Sequence, residues 1–188
     1  NEIFNTFNTP IYIQRCNGGV VERNLIYSPN TPSGITNAGI NINSELPDGG
    51  NSGATFDTGN VIIRNNIVIG MKRNMSQLAG AGGQLKFENI VIENNTFINA
   101  IEAGIYFAGN ADLTGFIVRN NIIYQGSGAA GIVTNYNGGK DIVWDHNSWS
   151  ALPNVAARSV SDVASAVLVN PDDNINDNIV TVNNYAQQ

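Results

Sequence analysis

One cysteine, one histidine, two methionines and a charged fraction of only 13% leave several classes of chemistry outside this 188-residue chain. A lone Cys16 cannot form an intrachain disulfide or a thiolate metal cluster, and between Arg15 and Asn17 it reads as a small buried hydrophobe or a free surface thiol, the former being commoner. A lone His146 gives no Ser-His-Asp or Cys-His arrangement to argue from. No run of about 18 apolar residues exists to cross a membrane as a helix. Fifteen acidic residues against nine basic ones give a net charge of −6 and a pI near 4.5. That balance lacks the basic face wanted by nucleic acid or an anionic membrane surface, so neither is expected as a partner. The Gly80–Gly83 run GAGG has no following Lys-Ser/Thr or helix, so it is not read as a phosphate cradle.

Asn, Gly, Ile and Val are abundant instead, and they repeat. NVIIRNN (Asn60 to Asn66) returns as NIVIENN (Asn89 to Asn95), GFIVRNN (Gly115 to Asn121) and DIVWDHN (Asp141 to Asn147). A weaker copy ends at Asn24, and the chain opens at Asn1 in the tail of another. The terminal asparagines, at 1, 24, 66, 95, 121 and 147, are separated by 23, 42, 29, 26 and 26 residues. A period in the twenties with short apolar runs points to stacked β-coils. Three strands fit each coil: one ending at the Asn-Asn corner, one after it, and a third about ten residues on, often following Gly. The third strands are read as Ile11 to Ile13, Ile40 to Ile42, Leu85 to Phe87, Ile105 to Phe107 and Ile132 to Thr134. Parallel crossovers are overwhelmingly right-handed. The expected fold is therefore all-β, a right-handed single-stranded parallel β-helix of about six coils.

The ladder asparagine has a physical task in such a fold, since its amide can donate to one coil and accept from the next. The residue before it (Asn65, Asn94, Asn120, His146) falls where left-handed backbone is needed, which Asn tolerates. With these asparagines inward, alternation places Val61, Ile63, Ile90, Ile92, Phe116, Val118, Ile142 and Trp144 inside. Glu22, Arg64, Glu93, Arg119 and Asp145 then form an outward rail of alternating sign, and Val20, Ile62, Val91, Ile117 and Val143 an outward aliphatic row. Residues 1–150 are assigned to these coils and 151–188 to an irregular terminal coil or strap, with a short helix over Ala156 to Ala166. Because Asn1 falls in mid-repeat, further coils or modules of a longer polypeptide are expected. Asn43 to Gly59 and Gly70 to Gln84 read as long insertions, which in a regular solenoid usually carry function.

On the outer side of the third strands, Tyr12, Asn41, Lys86, Tyr106 and Val133 are expected in one row, with Gln14, Asn43, Glu88, Ala108 and Asn135 beside it. Aromatic faces with amides suit a sugar chain, because ring C–H groups stack on the rings while hydroxyls bond the amides. Tyr12, Gln14, Asn41, Lys72 and Asn135 are the expected binding residues. Lys86, Glu88, Tyr106 and Arg73 are the expected catalytic ones, as base, neutralising cation and proton donor of an elimination, or with Glu88 paired to Glu102 or Asp112 for hydrolysis. No metal ligand set is assigned. Asp172-x-Asn174-x-Asn176 opens like a calcium loop, yet Asp177 stands where Gly is wanted, and Glu45, Asp48 and Asp57 are only loosely clustered. Calcium is thus a weak candidate, and no other cofactor is expected.

The unit hydrophobic-x-hydrophobic-x-Asn-Asn-x-hydrophobic, with Gly-Ile leading the third strand, resembles the right-handed parallel β-helix repeat over roughly Asn1 to Ser150. It is similar to the coils of pectate-lyase-like polysaccharide lyases and related glycoside hydrolases. No pectate-lyase arginine or aspartate signature is found, and no Asp-Pro-His-Glu of the alginate epimerases. The resemblance implies a secreted or cell-surface protein that binds polysaccharide along the third-strand face and processes it as a lyase or hydrolase. The alternative it implies is a structural or adhesive β-helix of a surface protein or fibre.

Overall fold

A computed structural model describes residues 1–6, 8–28, 38–44, 58–79, 86–108, 112–126, 130–134, 141–153 and 159–164. The described residues hold strands and no helix, and every paired strand runs parallel. The strands sort into three sheets, each taking one strand from each successive coil. The first sheet contains Asn17–Glu22, Thr58–Arg64, Lys86–Glu93, Phe116–Arg119 and Ile142–Asp145, with Asp112–Thr114 paired beside Lys86–Glu93. The second contains Glu2–Phe4, Leu25–Tyr27, Ile67–Ile69, Thr96–Ile98, Ile122–Tyr124 and Ser148–Trp149. The third contains Ile11–Gln14, Ala38–Ser44, Arg73–Ala79, Ala103–Phe107 and Ala130–Thr134. Neighbouring coils are therefore stacked at the strand spacing of about 4.8 Å.

The Asn-Asn corner joins the first sheet to the second. Arg23, Asn65, Asn94, Asn120 and His146 all adopt left-handed backbone there, with φ of 57°, 55°, 54°, 54° and 52°. The following asparagine turns inward and bonds along the axis. Asn24 Nδ2 donates to Asn66 Oδ1 at 2.9 Å, Asn66 to Asn95 at 2.9 Å, Asn95 to Asn121 at 3.0 Å and Asn121 to Asn147 at 3.0 Å. Each acceptor oxygen also takes the backbone N–H of the preceding asparagine, as with Asn66 N to Asn95 Oδ1 at 3.0 Å. The amides thus satisfy a buried bend whose backbone groups no strand could reach.

Inside the corner the first sheet stacks Val21, Ile63, Ile92, Val118 and Trp144 on directly opposed positions. Phe87, Phe97, Phe107, Phe116 and Trp149 are fully buried beside them. Phe107 meets Phe116 and Trp144 edge-on, with ring centroids 5.9 Å and 6.0 Å apart. Such contacts add about 0.5–1.5 kcal/mol each to the area they bury. Outside, Glu22, Arg64, Glu93, Arg119 and Asp145 occupy one row in register, with ion pairs at 2.7 Å between Arg64 and Glu22 and between Arg119 and Glu93. The bond from Arg64 holds the half-buried Glu22 carboxyl below its ordinary pKa. The aliphatic row from Val20 to Val143 is also in register, exposed at both ends and half-buried between.

Two inward positions are tightly constrained. A Cβ on Gly39 would stand 2.3 Å from Val68 Cγ1 and 2.9 Å from the Asn74 carbonyl, so only glycine fits where this coil meets its neighbours. Gln77, fully buried between Ile42 and Phe107 of the adjacent strands, has neither amide atom hydrogen-bonded. An unpaired buried polar group costs about 1–3 kcal/mol. Gln77→Met, close to it in volume, is expected to raise stability by about that much, a Tm increase of a few degrees in a thermal melt.

The third strand of the middle coil differs from the expectation. It is Arg73–Ala79, not Leu85 to Phe87, and Lys86-Phe87-Glu88 instead opens the first-sheet strand Lys86–Glu93. Three of the other third strands lead with Ala-Gly-Ile, at 38–40, 103–105 and 130–132, whereas this one leads with Arg73-Asn74-Met75. Asn74 takes the glycine position and is fully buried there. Its Nδ2 donates to the Ile98 carbonyl at 3.0 Å and its Oδ1 accepts the Met71 N–H at 3.3 Å, which pins the turn. Within the expected insertion Gly70 to Gln84, Arg73–Ala79 is thus a strand of the third sheet. The helix expected over Ala156 to Ala166 is not formed at 159–164, where the chain makes a turn and a parallel bridge from Val163 to Ser148, because this segment stacks on the ladder end instead of coiling on itself. The acidic residues Glu45, Asp48 and Asp57, Asn135 and the Asp172 loop lie outside the described residues.

Candidate functional site

The outer row of the third sheet, read from the strand pairing, is Tyr12, Asn41, Ser76 and Tyr106, and the Cα partner of Tyr106 on the next strand is Val133. Ser76 stands where Lys86 was expected, and Leu78 where Glu88 was expected beside Gln14 and Asn43. Lys86 and Glu88 belong to the first sheet, where their Cα partners are Asp112 and Thr114. The catalytic set Lys86, Glu88, Tyr106 and Arg73 is therefore divided between two sheets. The divide follows from Asn74: with a strand already supplied by Arg73–Ala79, the next apolar alternation belongs to the following sheet.

Arg73, Lys72 and Tyr106 do come together, with Glu102. The turn entering Arg73–Ala79 stacks on the turn entering Ala103–Phe107, since Ile101 N and Glu102 N donate to the Met71 and Lys72 carbonyls at 2.9 Å and 2.8 Å. That stacking sets Glu102 against Arg73, whose Nε and Nη2 donate to its two carboxylate oxygens at 3.0 Å each. Lys72 Nζ stands 3.9 Å from the same carboxylate. The Arg73 guanidinium also lies over the Tyr106 ring, 3.6 Å from its centroid. A two-pronged ion pair and a cation–π contact hold one guanidinium, so the cluster is rigid. Its side chain is only 16% exposed.

Toward the N-terminal end of the same sheet a cleft of about 390 Å³ is lined by Asn8, Thr9, Tyr12, Ala38, Asn41, Asn43 and Leu78. The Tyr12 ring is 42% exposed and its hydroxyl accepts Asn43 Nδ2 at 2.8 Å. Deeper in, Ser76 Oγ donates to Asn41 Oδ1 at 2.8 Å, and both are buried. The expected row is thus a cleft at Tyr12 and a charged cluster at Arg73, with the buried Asn41–Ser76 pair between Tyr12 and Tyr106 in register. Ala38 of the cleft and Arg73 are Cα partners, so the two features adjoin. Gln14 lies one residue pair beyond Tyr12, opposite Asn43.

His146 occupies the left-handed corner slot, and its Nδ1 lies 2.7 Å from Asp145 Oδ1. Bonds from Ser161 and His146 hold the Asp145 carboxyl below its ordinary pKa. His146 is thus part of the corner that meets 159–163. Sequence reasoning overlooked Glu102 as the partner of Arg73. The available signal was the matched spacing of Arg73 and Ala103 before Met75 and Ile105.

The model of the right-handed beta helix region matches residues 1–149, and the chain belongs to that family. No curated protein and no solved structure matched it.

Proposed function

We propose that this protein binds a polysaccharide at the outer face of its third sheet, with the Tyr12 cleft as the principal subsite. The observation that carries this is the cleft's lining among the described residues: one exposed aromatic ring, three amides, a threonine hydroxyl, an alanine and a leucine around about 390 Å³. A pyranose offers the complementary surface, with C–H groups for the ring and hydroxyls for the amides. The Arg73–Glu102–Tyr106 cluster adjoins as a second contact for a longer chain. Processing of that chain is the weaker half of the reading. The described strands of the third sheet carry no Asp or Glu, and the nearby Glu102 is engaged by Arg73 and Lys72. Hydrolysis wants two carboxylates about 5–10 Å apart across the scissile bond. Binding is therefore the function this geometry supports best, and the same reading puts the protein outside the cell or on its surface, where such chains are met.

Affinity electrophoresis through gels containing neutral and acidic polysaccharides tests it. Tyr12→Ala is expected to weaken retardation about tenfold, the loss of one stacking contact worth ~1–2 kcal/mol. Lys86→Ala, on the first sheet, is expected to leave retardation unchanged. Equal retardation of the parent and the Tyr12 variant would remove the cleft from the site.

A further inference from the structure

We infer, resting on the reading just given, that the cleft takes neutral pyranose units rather than uronate or sulfated ones. The seven described residues lining it, Asn8 to Asn43 with Leu78, include no Lys, Arg, His, Asp or Glu. An anionic sugar entering it would shed water from its charge and meet neutral dipoles at these described residues, a loss that hydroxyls bonded to amides avoid. Arg73 and Lys72, the described cations beside the cleft, are already matched. Arg73 gives two donors to Glu102 and its π-facing side to Tyr106, and Lys72 faces the same carboxylate. A uronate could recruit Arg73 only by displacing Glu102 from a two-pronged pair that is mostly shielded from water. The chain's net charge of −6 opposes the approach of a polyanion further. Asn41 and Asn43 supply both donors and acceptors within one cleft, and an amide of that kind reads hydroxyl orientation, not charge.

The test is affinity electrophoresis of the full chain through a β-glucan, a xylan, a mannan and a galactan, and separately through polygalacturonate and alginate, at low salt and at about 0.3 M salt. The expected result is Tyr12-dependent retardation by at least one neutral polymer, changing less than about twofold with salt, and at least about tenfold weaker retardation by either polyuronate. Tyr12-dependent retardation by a polyuronate that fades with salt would overturn the neutral assignment and leave polysaccharide binding standing. Retardation by none of the six polymers, or retardation indifferent to Tyr12→Ala, would overturn both.

Discussion

Asn95→Ala is expected to destabilise the protein by about 3–5 kcal/mol, read as a fall in the urea midpoint with an unchanged slope. Asn95 sits in the middle of the ladder and is fully engaged. Its Oδ1 accepts Asn66 N at 3.0 Å and Asn66 Nδ2 at 2.9 Å, and its Nδ2 donates to the Ile63 carbonyl at 2.9 Å and to Asn121 Oδ1 at 3.0 Å. Alanine removes all four bonds at a site 1% exposed, so the groups left behind find neither protein nor water. Each stranded group costs about 1–3 kcal/mol, and the sum is reduced because Asn66 Nδ2 keeps its bonds to the Val21 and Arg64 carbonyls. Asn1→Ala supplies the contrast. Asn1 is exposed and gives one side-chain bond to Asn24, at 3.0 Å, so its loss is expected to cost no more than about 0.5 kcal/mol. Equal effects at the two positions would mean that the ladder stabilises by corner geometry alone, not by burial of its amides.

The same contrast explains what could be read from the chain beforehand. Asn24, Asn66, Asn95, Asn121 and Asn147 were legible because each closes the same corner at the same offset from an apolar alternation, and nothing else satisfies a buried bend so cheaply. The left-handed slot before them was legible for the same reason, and His146 fills it with φ of 52°. A second, outer ladder was not seen, although its signal is the first letter of two repeats, Asn60 and Asn89. Asn60 Nδ2 donates to Asn17 Oδ1 at 2.7 Å and Asn89 Nδ2 to Asn60 Oδ1 at 3.1 Å, both donors in left-handed backbone. Gly115 continues the series with φ of 65°, and a Cβ there would stand 2.7 Å from Asn89 Oδ1. Asn60 and Asn89 lie within the longer first strands and Gly115 between Asp112–Thr114 and Phe116–Arg119, so a left-handed residue there bends a path that alternation alone reads as ending.

The site was less legible because it depends on which strand the middle coil contributes. Glycine marks the third strand in three coils, and Asn74 replaces it in the one that carries Arg73. A search for the glycine moves the strand a dozen residues on, and Lys86 with it. Only the bonds from Asn74 to Met71 and Ile98 reveal that asparagine can do the same work by pinning the turn. The tyrosines were found regardless, since Tyr12 and Tyr106 each follow an inward isoleucine in strands whose placement was unambiguous.

Asp162 closes the ladder by different chemistry, and the second large effect is expected there. The segment 159–163 lies where another coil would begin, with Val163 N donating to the Asn147 carbonyl at 2.9 Å and Trp149 N to the Val163 carbonyl at 2.8 Å. In place of an amide it presents a carboxylate. Asp162 Oδ1 accepts Asn147 N at 2.8 Å and Ser159 Oγ at 3.2 Å, and Oδ2 accepts Trp149 Nε1 at 2.9 Å. Every group around it donates, so an acceptor-only side chain can receive the last rung without passing a bond onward. Asp162→Ala is expected to cost about 2–4 kcal/mol by stranding the Asn147 and Trp149 N–H groups. Asp162→Asn isolates the chemistry from the shape. Its oxygen can keep the Asn147 bond, but its NH₂ then confronts the Trp149 N–H, donor against donor, at an expected cost of about 1–3 kcal/mol. Trp149→Phe removes the opposing donor. The two changes together are expected to destabilise less than the sum of each alone, a coupling of about 1 kcal/mol in a double-mutant cycle followed by urea unfolding. Additive effects would show that the indole N–H does not select the carboxylate, and that Asp162 serves the ladder through Asn147 alone.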